Sequence, residues 1–295
     1  MKITLPLSLW LALAPCLPAT PPDPVPAAQD ARPAALAWLQ AKGIPFTPDA
    51  FIQMCATGGK DSVEPFLAAG MAPGTRDTRG MPALVAVLSQ WQNLMRPEFN
   101  AFRGKLVTDR LEVLDLLLAH GADPGAWDAS GFTALHHAAC YDQFCPAIAR
   151  LHKAGADPDA AHPPQNLKPL HLAVMANNAA GAQALLEAGA APNGDADPAL
   201  APLANAVRED VGSKADHSRL VNVLLHYGAD LKVRIRDQAS CLHLAATGAS
   251  LKTIRVLVAA GADRKAQDAL QRTPYDIAKA SHRAPEVLAA LAPDA

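Results

Sequence analysis

The chain has 295 residues, a formal charge of −2 at pH 7 and only 5% aromatic residues. That charge excludes a general nucleic-acid or anionic-membrane binder that works through bulk positive charge. Half of the residues are hydrophobic, so the chain is long and apolar enough to bury a sizeable core.

The N-terminus differs in kind from the rest. Met1 and Lys2 make a short basic start, Ile3 to Leu17 is apolar and uncharged, and the small Ala19 follows. This order predicts a bacterial secretory signal peptide over residues 1–19 that is cleaved on export. A membrane anchor is the alternative, but the run carries Pro6 and Pro15 and falls short of the roughly 20 apolar residues that a spanning helix needs. Leu13-Ala14-Pro15-Cys16 has the outline of a lipoprotein signal, with Pro15 where that signal wants Gly, Ala or Ser. Residues 20–34 hold five prolines in an Ala-rich context, which predicts an extended, disordered linker. The expected location of the mature protein is the periplasm, with no membrane insertion.

From residue 35 onward the chain is periodic. Ala35–Gly43 reads as the outer helix of a half repeat occupying 35–46. Gly-Ala-Asp or a near copy then recurs at Gly121, Gly155, Gly189, Gly228 and Gly261, in steps of 34, 34, 39 and 33 residues. A period of this size marks a stacked-repeat architecture. Each of these glycines ends an apolar run with three- and four-residue spacing, as in Arg110–His120, and so reads as a helix stop. Each period opens with a second phrase: Thr133-Ala134-Leu135-His136, Lys168-Pro169-Leu170-His171, Ala201-Pro202-Leu203-Ala204, Ser240-Cys241-Leu242-His243 and Thr273-Pro274-Tyr275-Asp276. Thr or Ser caps the new helix, Pro fits its first turn, and Leu enters the core.

Two phrases recurring in phase make residues 47–292 resemble the ankyrin repeat. The resemblance implies an all-α solenoid of stacked helix pairs joined by β-turn fingers. The expected units are 49–80, 82–126, 133–160, 168–194, 201–233 and 240–266, with a C-terminal cap at 273–292. The outer copies depart most from the pattern, as end repeats facing solvent should. The resemblance also implies that His136, His171 and His243, which share one slot, bond backbone groups between repeats.

No sequence feature calls for catalysis or a cofactor. Phosphate loops, nucleophile elbows and His-Glu-x-x-His are absent from the sequence. Asp123, Asp157, Asp230 and Asp263 follow the helix stops, where Asp bonds its own backbone. His136, His137, Cys140 and Cys145 lack the spacing of a zinc site. Cys140 and Cys145 flank one short helix connection and are near enough to bridge, so a local disulfide is expected, with two packed free thiols as the alternative.

The expected function is a non-enzymatic protein-binding module, monomeric, whose concave side grips another protein. An immunity protein that blocks an exported toxin or enzyme is one alternative. A metal- or small-molecule-binding stress protein is another. Partner-binding candidates on the helix slots facing that side are His137, Tyr141, Met175, Asn205 and Arg208. Finger candidates are led by Phe132, with Trp127 and Arg236 among the other tips. Trp91 and Phe99 lie in an insertion at about 90–108, which is expected to dock on the stack or on a partner. A second insertion, about 211–217, is polar and reads as a solvated loop.

Overall fold

The computed structural model describes residues 28–89, 103–163, 166–194 and 201–293, and among them it contains fifteen α-helices. A lone helix, α1 (Ala28–Ala41), precedes seven pairs. These are α2 (Pro48–Thr57) with α3 (Lys60–Ala68), α4 (Ala83–Ser89) with α5 (Arg103–Ala119), and α6 (Ala134–Ala139) with α7 (Cys145–Lys153). Next come α8 (Pro169–Met175) with α9 (Ala179–Glu187), α10 (Pro202–Asp210) with α11 (Ser218–His226), and α12 (Cys241–Gly248) with α13 (Leu251–Ala259). The last pair is α14 (Pro274–Ala280) with α15 (Pro285–Leu291).

First helices pack on first helices from α2 to α14, and second helices pack on second helices from α1 to α15. The result is an inner and an outer row around one continuous apolar core that runs from Leu39 to Leu291. Small residues such as Ala86, Ala138, Ala173, Ala206 and Ala245 are fully or almost fully buried in the inner row and let neighbouring helices approach closely. The helix-stop glycines adopt the left-handed conformation, for example φ 85° at Gly121 and 101° at Gly155. A side chain would be strained there, which is why glycine recurs at this point.

Between pairs the chain turns through fingers. Four of them are closed at the base by one antiparallel bridge: Arg76 with Pro82, Trp127 with Thr133, His162 with Leu167, and Arg234 with Ser240. Asp123, Asp157, Asp230 and Asp263 each accept the N–H two residues on, at 2.8–2.9 Å.

Several expectations need correction. Helix α1 starts at Ala28, so it takes in the second half of the segment expected as a disordered linker. Its Pro33 is tolerated within the helix. The insertion expected at 90–108 is partly helical: residues 103–108 form the first turns of a long α5. Trp91 and Phe99 lie outside the described residues, as does the segment 1–19. The expected loop at 211–217 is solvated only in its middle, because Asp210 and His217 at its ends are buried. Asp210 receives the N–H groups of His217 at 3.4 Å and of Ser250 at 2.7 Å, which pins the loop to the next repeat.

Cys140 and Cys145 are free thiols rather than a disulfide. Cys140 ends α6 and turns its Sγ back toward the His136 carbonyl at 3.5 Å. Cys145 opens α7 and interacts with the Asn178 side chain. Burial pushes both thiols up from their ordinary pKa, which makes them poor nucleophiles.

Candidate functional site: a binding face on a locked stack

The inner row is fixed by hydrogen bonds that cross from one repeat to the next. The Thr133 backbone N–H donates to His136 Nδ1 at 3.2 Å, with the Thr133 hydroxyl at 2.9 Å from the same nitrogen. That nitrogen therefore carries no proton, and Nε2–H donates to the Leu167 carbonyl of the next repeat at 3.1 Å. His243 repeats the device: it accepts from Ser240 N–H at 3.2 Å and reaches the Arg272 carbonyl at 2.9 Å. Asp276 fills the same slot at the C-terminal end and accepts from Thr273 N–H at 2.9 Å and its hydroxyl at 2.7 Å. Asp276, unlike the histidines, offers only acceptors, so its bonds stay within its own repeat opening. Burial lowers the pKa of His136 to about 4, against the raising effect of its bond to Leu167.

A second cross-repeat device was invisible in the sequence. It occupies one slot, just before the outer helix at Asn178 and Arg283 and within the lengthened α5 at Arg110, and uses different residue types. Asn178, 1% exposed, donates to the Ala139 carbonyl at 2.9 Å and accepts from Gly181 N–H at 2.7 Å. Arg110, 2% exposed, donates to the Cys55 carbonyl at 2.9 Å. Arg283 reaches the carbonyls of Ala246 and Ala249. Each satisfies orphan carbonyls at the end of the preceding inner helix. Burial lowers the Arg110 pKa to about 10, which leaves it charged at neutral pH beside the Cys55 thiol that burial pushes up to about 12.

In three fingers an Asp organises the turn. Asp77, Asp128 and Asp268 each accept two backbone N–H groups at 2.8–3.0 Å. Each also holds a basic side chain: Arg79 at 2.8 Å, His137 at 2.9 Å and Arg272 at 2.8 Å. Burial works against the Asp128 carboxylate, but the bonds from His137, Phe132 and Ser130 outweigh it and hold its pKa below the ordinary value.

These contacts decide what each candidate can offer. Phe132 has one ring face occupied: it stacks on His162 of the next finger at 4.1 Å between centroids. His137 is half-buried and paired with Asp128. Tyr141 is half-buried and packs edge-on to Phe144 at 6.3 Å. Asn205 is half-buried, and its side-chain oxygen accepts from the exposed Arg208. Met175 is 62% exposed at the end of α8. Trp127, at 45%, is exposed in the finger before α6 and borders a cleft of about 420 Å³ with Pro124, Thr133 and Ala156. Among the described residues no group of three or more His, Cys, Asp and Glu could hold a metal ion.

A family model described as ankyrin repeats (3 copies) matches residues 106–197. Among solved structures, the ankyrin repeat domain of Bcl-3 superposes with a TM-score of 0.60 and 25% identity, over 83% of this chain and 97% of that one. The fold is an ankyrin-repeat stack of helix pairs. The human ASB11 ankyrin repeat domain has the same fold, with a TM-score of 0.58 and 22% identity over 83% of this chain and 99% of that domain. In sequence, the ankyrin-repeat chain is 28% identical over 187 residues to B-cell lymphoma 3 protein homolog of Mus musculus. It is 28% identical over 170 residues to E3 ubiquitin-protein ligase KEG of Arabidopsis thaliana. The two alignments take in 62% and 56% of this chain but only 40% and 10% of those proteins. Ankyrin repeats are interaction modules.

Proposed function

We propose that the protein is a non-enzymatic binding module that holds another protein on the inner-helix and finger side of its stack. The observation that carries this reading is the exposure of Met175 at the end of an inner helix and of Trp127 in a finger, on a stack whose backbone is otherwise locked from repeat to repeat. Large apolar side chains left at the surface of a rigid frame bind at low entropic cost, because little has to be ordered on association. The free face of α8 is the one that its neighbours α6, α9 and α10 leave uncovered, and Met175 lies at its end.

The basic-apolar-small order of residues 1–19 supports export to the periplasm as the setting for this binding. Deleting that segment is expected to leave the protein in the cytoplasm, and export unchanged by the deletion would refute the assignment. The binding reading is tested by passing a periplasmic extract of the source organism over immobilised mature protein. A retained protein should be lost from the Trp127→Ala/Met175→Ser double variant while the melting curve stays unchanged. Equal retention by wild type, variant and an unrelated ankyrin stack would overturn it.

A further inference from the structure

The finger between α11 and α12, like the one between α7 and α8 that carries His162, lacks the Asp that organises three of the turns. Ile235 stands in the slot that Asp77, Asp128 and Asp268 fill, so no carboxylate organises this turn. The turn closes instead with left-handed backbone at Asp237 and Gln238, both at φ 57°. It is braced by the bond from Ala269 N–H to the Asp237 carbonyl at 2.7 Å.

The charge consequence is larger than the backbone one. In the fingers of Asp77, Asp128 and Asp268 the carboxylate neutralises a nearby cation. Here the run Leu231-Lys232-Val233-Arg234-Ile235-Arg236 alternates: Leu231, Val233 and Ile235 pack against the core, while Lys232, Arg234 and Arg236 are exposed. Ile235 is extended (φ −91°, ψ −163°), which sends Arg234 and Arg236 to one side, roughly 7 Å apart along the chain. Arg234 donates only weakly, to the Gln238 carbonyl at 3.4 Å. No ion pair engages Lys232, Arg234 or Arg236 among the described residues. The nearby Asp230 carboxylate accepts the Lys232 backbone N–H, and Asp237 is the one other acid of the finger. Lys265 is exposed at the matching position of the next finger, whose tip presents Leu270 at 68% exposure.

We infer that this finger docks an extended acidic peptide segment of the partner, its carboxylates against Lys232, Arg234 and Arg236 and an apolar side chain against Leu270. One feature selects a peptide over a nucleic acid: the next finger, tied to this one by the bond from Ala269 to Asp237, presents the exposed Leu270 beside the cations, and a phosphate backbone cannot use it. The inference rests on the binding-module reading and gives its partner a chemistry.

The test is fluorescence anisotropy of the purified protein with a labelled peptide of repeated Glu-Leu-Glu units, its Gln-Leu-Gln counterpart, an oligothymidylate and phosphatidylserine vesicles. The acidic peptide is expected to bind in a salt-sensitive way and the neutral one not to. Lys232→Gln/Arg234→Gln/Arg236→Gln should weaken the acidic peptide by about tenfold or more without moving the melting curve, because all three side chains are exposed. Ile235→Asp is an independent variant that restores the turn carboxylate of the Asp77, Asp128 and Asp268 fingers; it should fold and also bind the acidic peptide more weakly. Unchanged affinity in both variants, equal binding of the neutral peptide, or variant-sensitive binding tighter to oligothymidylate or vesicles would each overturn the proposal. A partner held through Trp127 and Met175 but retained fully by the triple variant would overturn this docking edge and leave the binding-module reading standing.

Discussion

Two buried polar side chains, His136 and Asn178, carry the most information residue for residue. The slot of His136 was legible because it recurs as His in three openings, and the bond it makes is the one the resemblance implied. The slot of Asn178 was not, because Arg110, Asn178 and Arg283 do one job with different chemistry and leave no repeated letter. Asn178→Ala should cost about 2–3 kcal/mol, the sum of a lost helix cap and an orphaned buried carbonyl at Ala139. Urea unfolding measures this, and a change below a few tenths of a kcal/mol would mean that water replaces both bonds. His136 also gives the stack an acid limit. Its pKa in the fold is about 4, whereas an unfolded histidine titrates near 6.5. The unfolded chain therefore binds more protons between these values, so stability is intact above about 6.5 and falls as the pH drops toward 4. The loss amounts to roughly 3 kcal/mol over that window. His136→Gln should be less stable at pH 7 but should show a shallower decline in melting temperature between pH 6.5 and 4.

Among the elements, α1 is the one that the sequence described least well. Proline content argued for a linker through residue 34, yet the helix begins at Ala28, because Leu39 and Ala35 can bury against α3 and that gain overrides local composition. The same limit explains the cysteines. Spacing put Cys140 and Cys145 close together, but which way each thiol turns depends on the ends of α6 and α7 and on Asn178 from the following repeat. Among the described residues helix α1 packs on α3 and so covers the outer side of the first pair. Removing residues 1–43 should uncover α3 and let the Phe51–Phe66 contact, 5.4 Å between centroids, loosen at the end of the stack. Hydrogen exchange should then rise in α2 and α3 and stay unchanged from α8 onward. A uniform rise along the chain would mean that the repeats unfold as one unit regardless of distance.

For the molecule as a whole, stability is carried by interfaces between neighbours, so a single weak interface can divide the chain. The boundary between the α6–α7 and α8–α9 pairs is joined in both directions: His136 reaches forward to Leu167, Asn178 reaches back to Ala139, and Phe132 stacks on His162. Removing the first two contacts together leaves two carbonyls facing the boundary without their donors, while each half keeps its own core. The chain supplies its own reporter for this, since all four tryptophans, at 10, 38, 91 and 127, precede the boundary. Tryptophan fluorescence thus follows the N-terminal half, whereas far-UV circular dichroism follows both. In the wild type the two signals should change together in urea, as expected when coupling between repeats exceeds the difference in their intrinsic stabilities. In His136→Gln/Asn178→Ala they should separate into two transitions, with the fluorescence midpoint distinct from that of the C-terminal half. Coincident transitions in the double variant would show that apolar packing across the boundary is enough to keep the stack cooperative, and that the two buried side chains set its register rather than its unity.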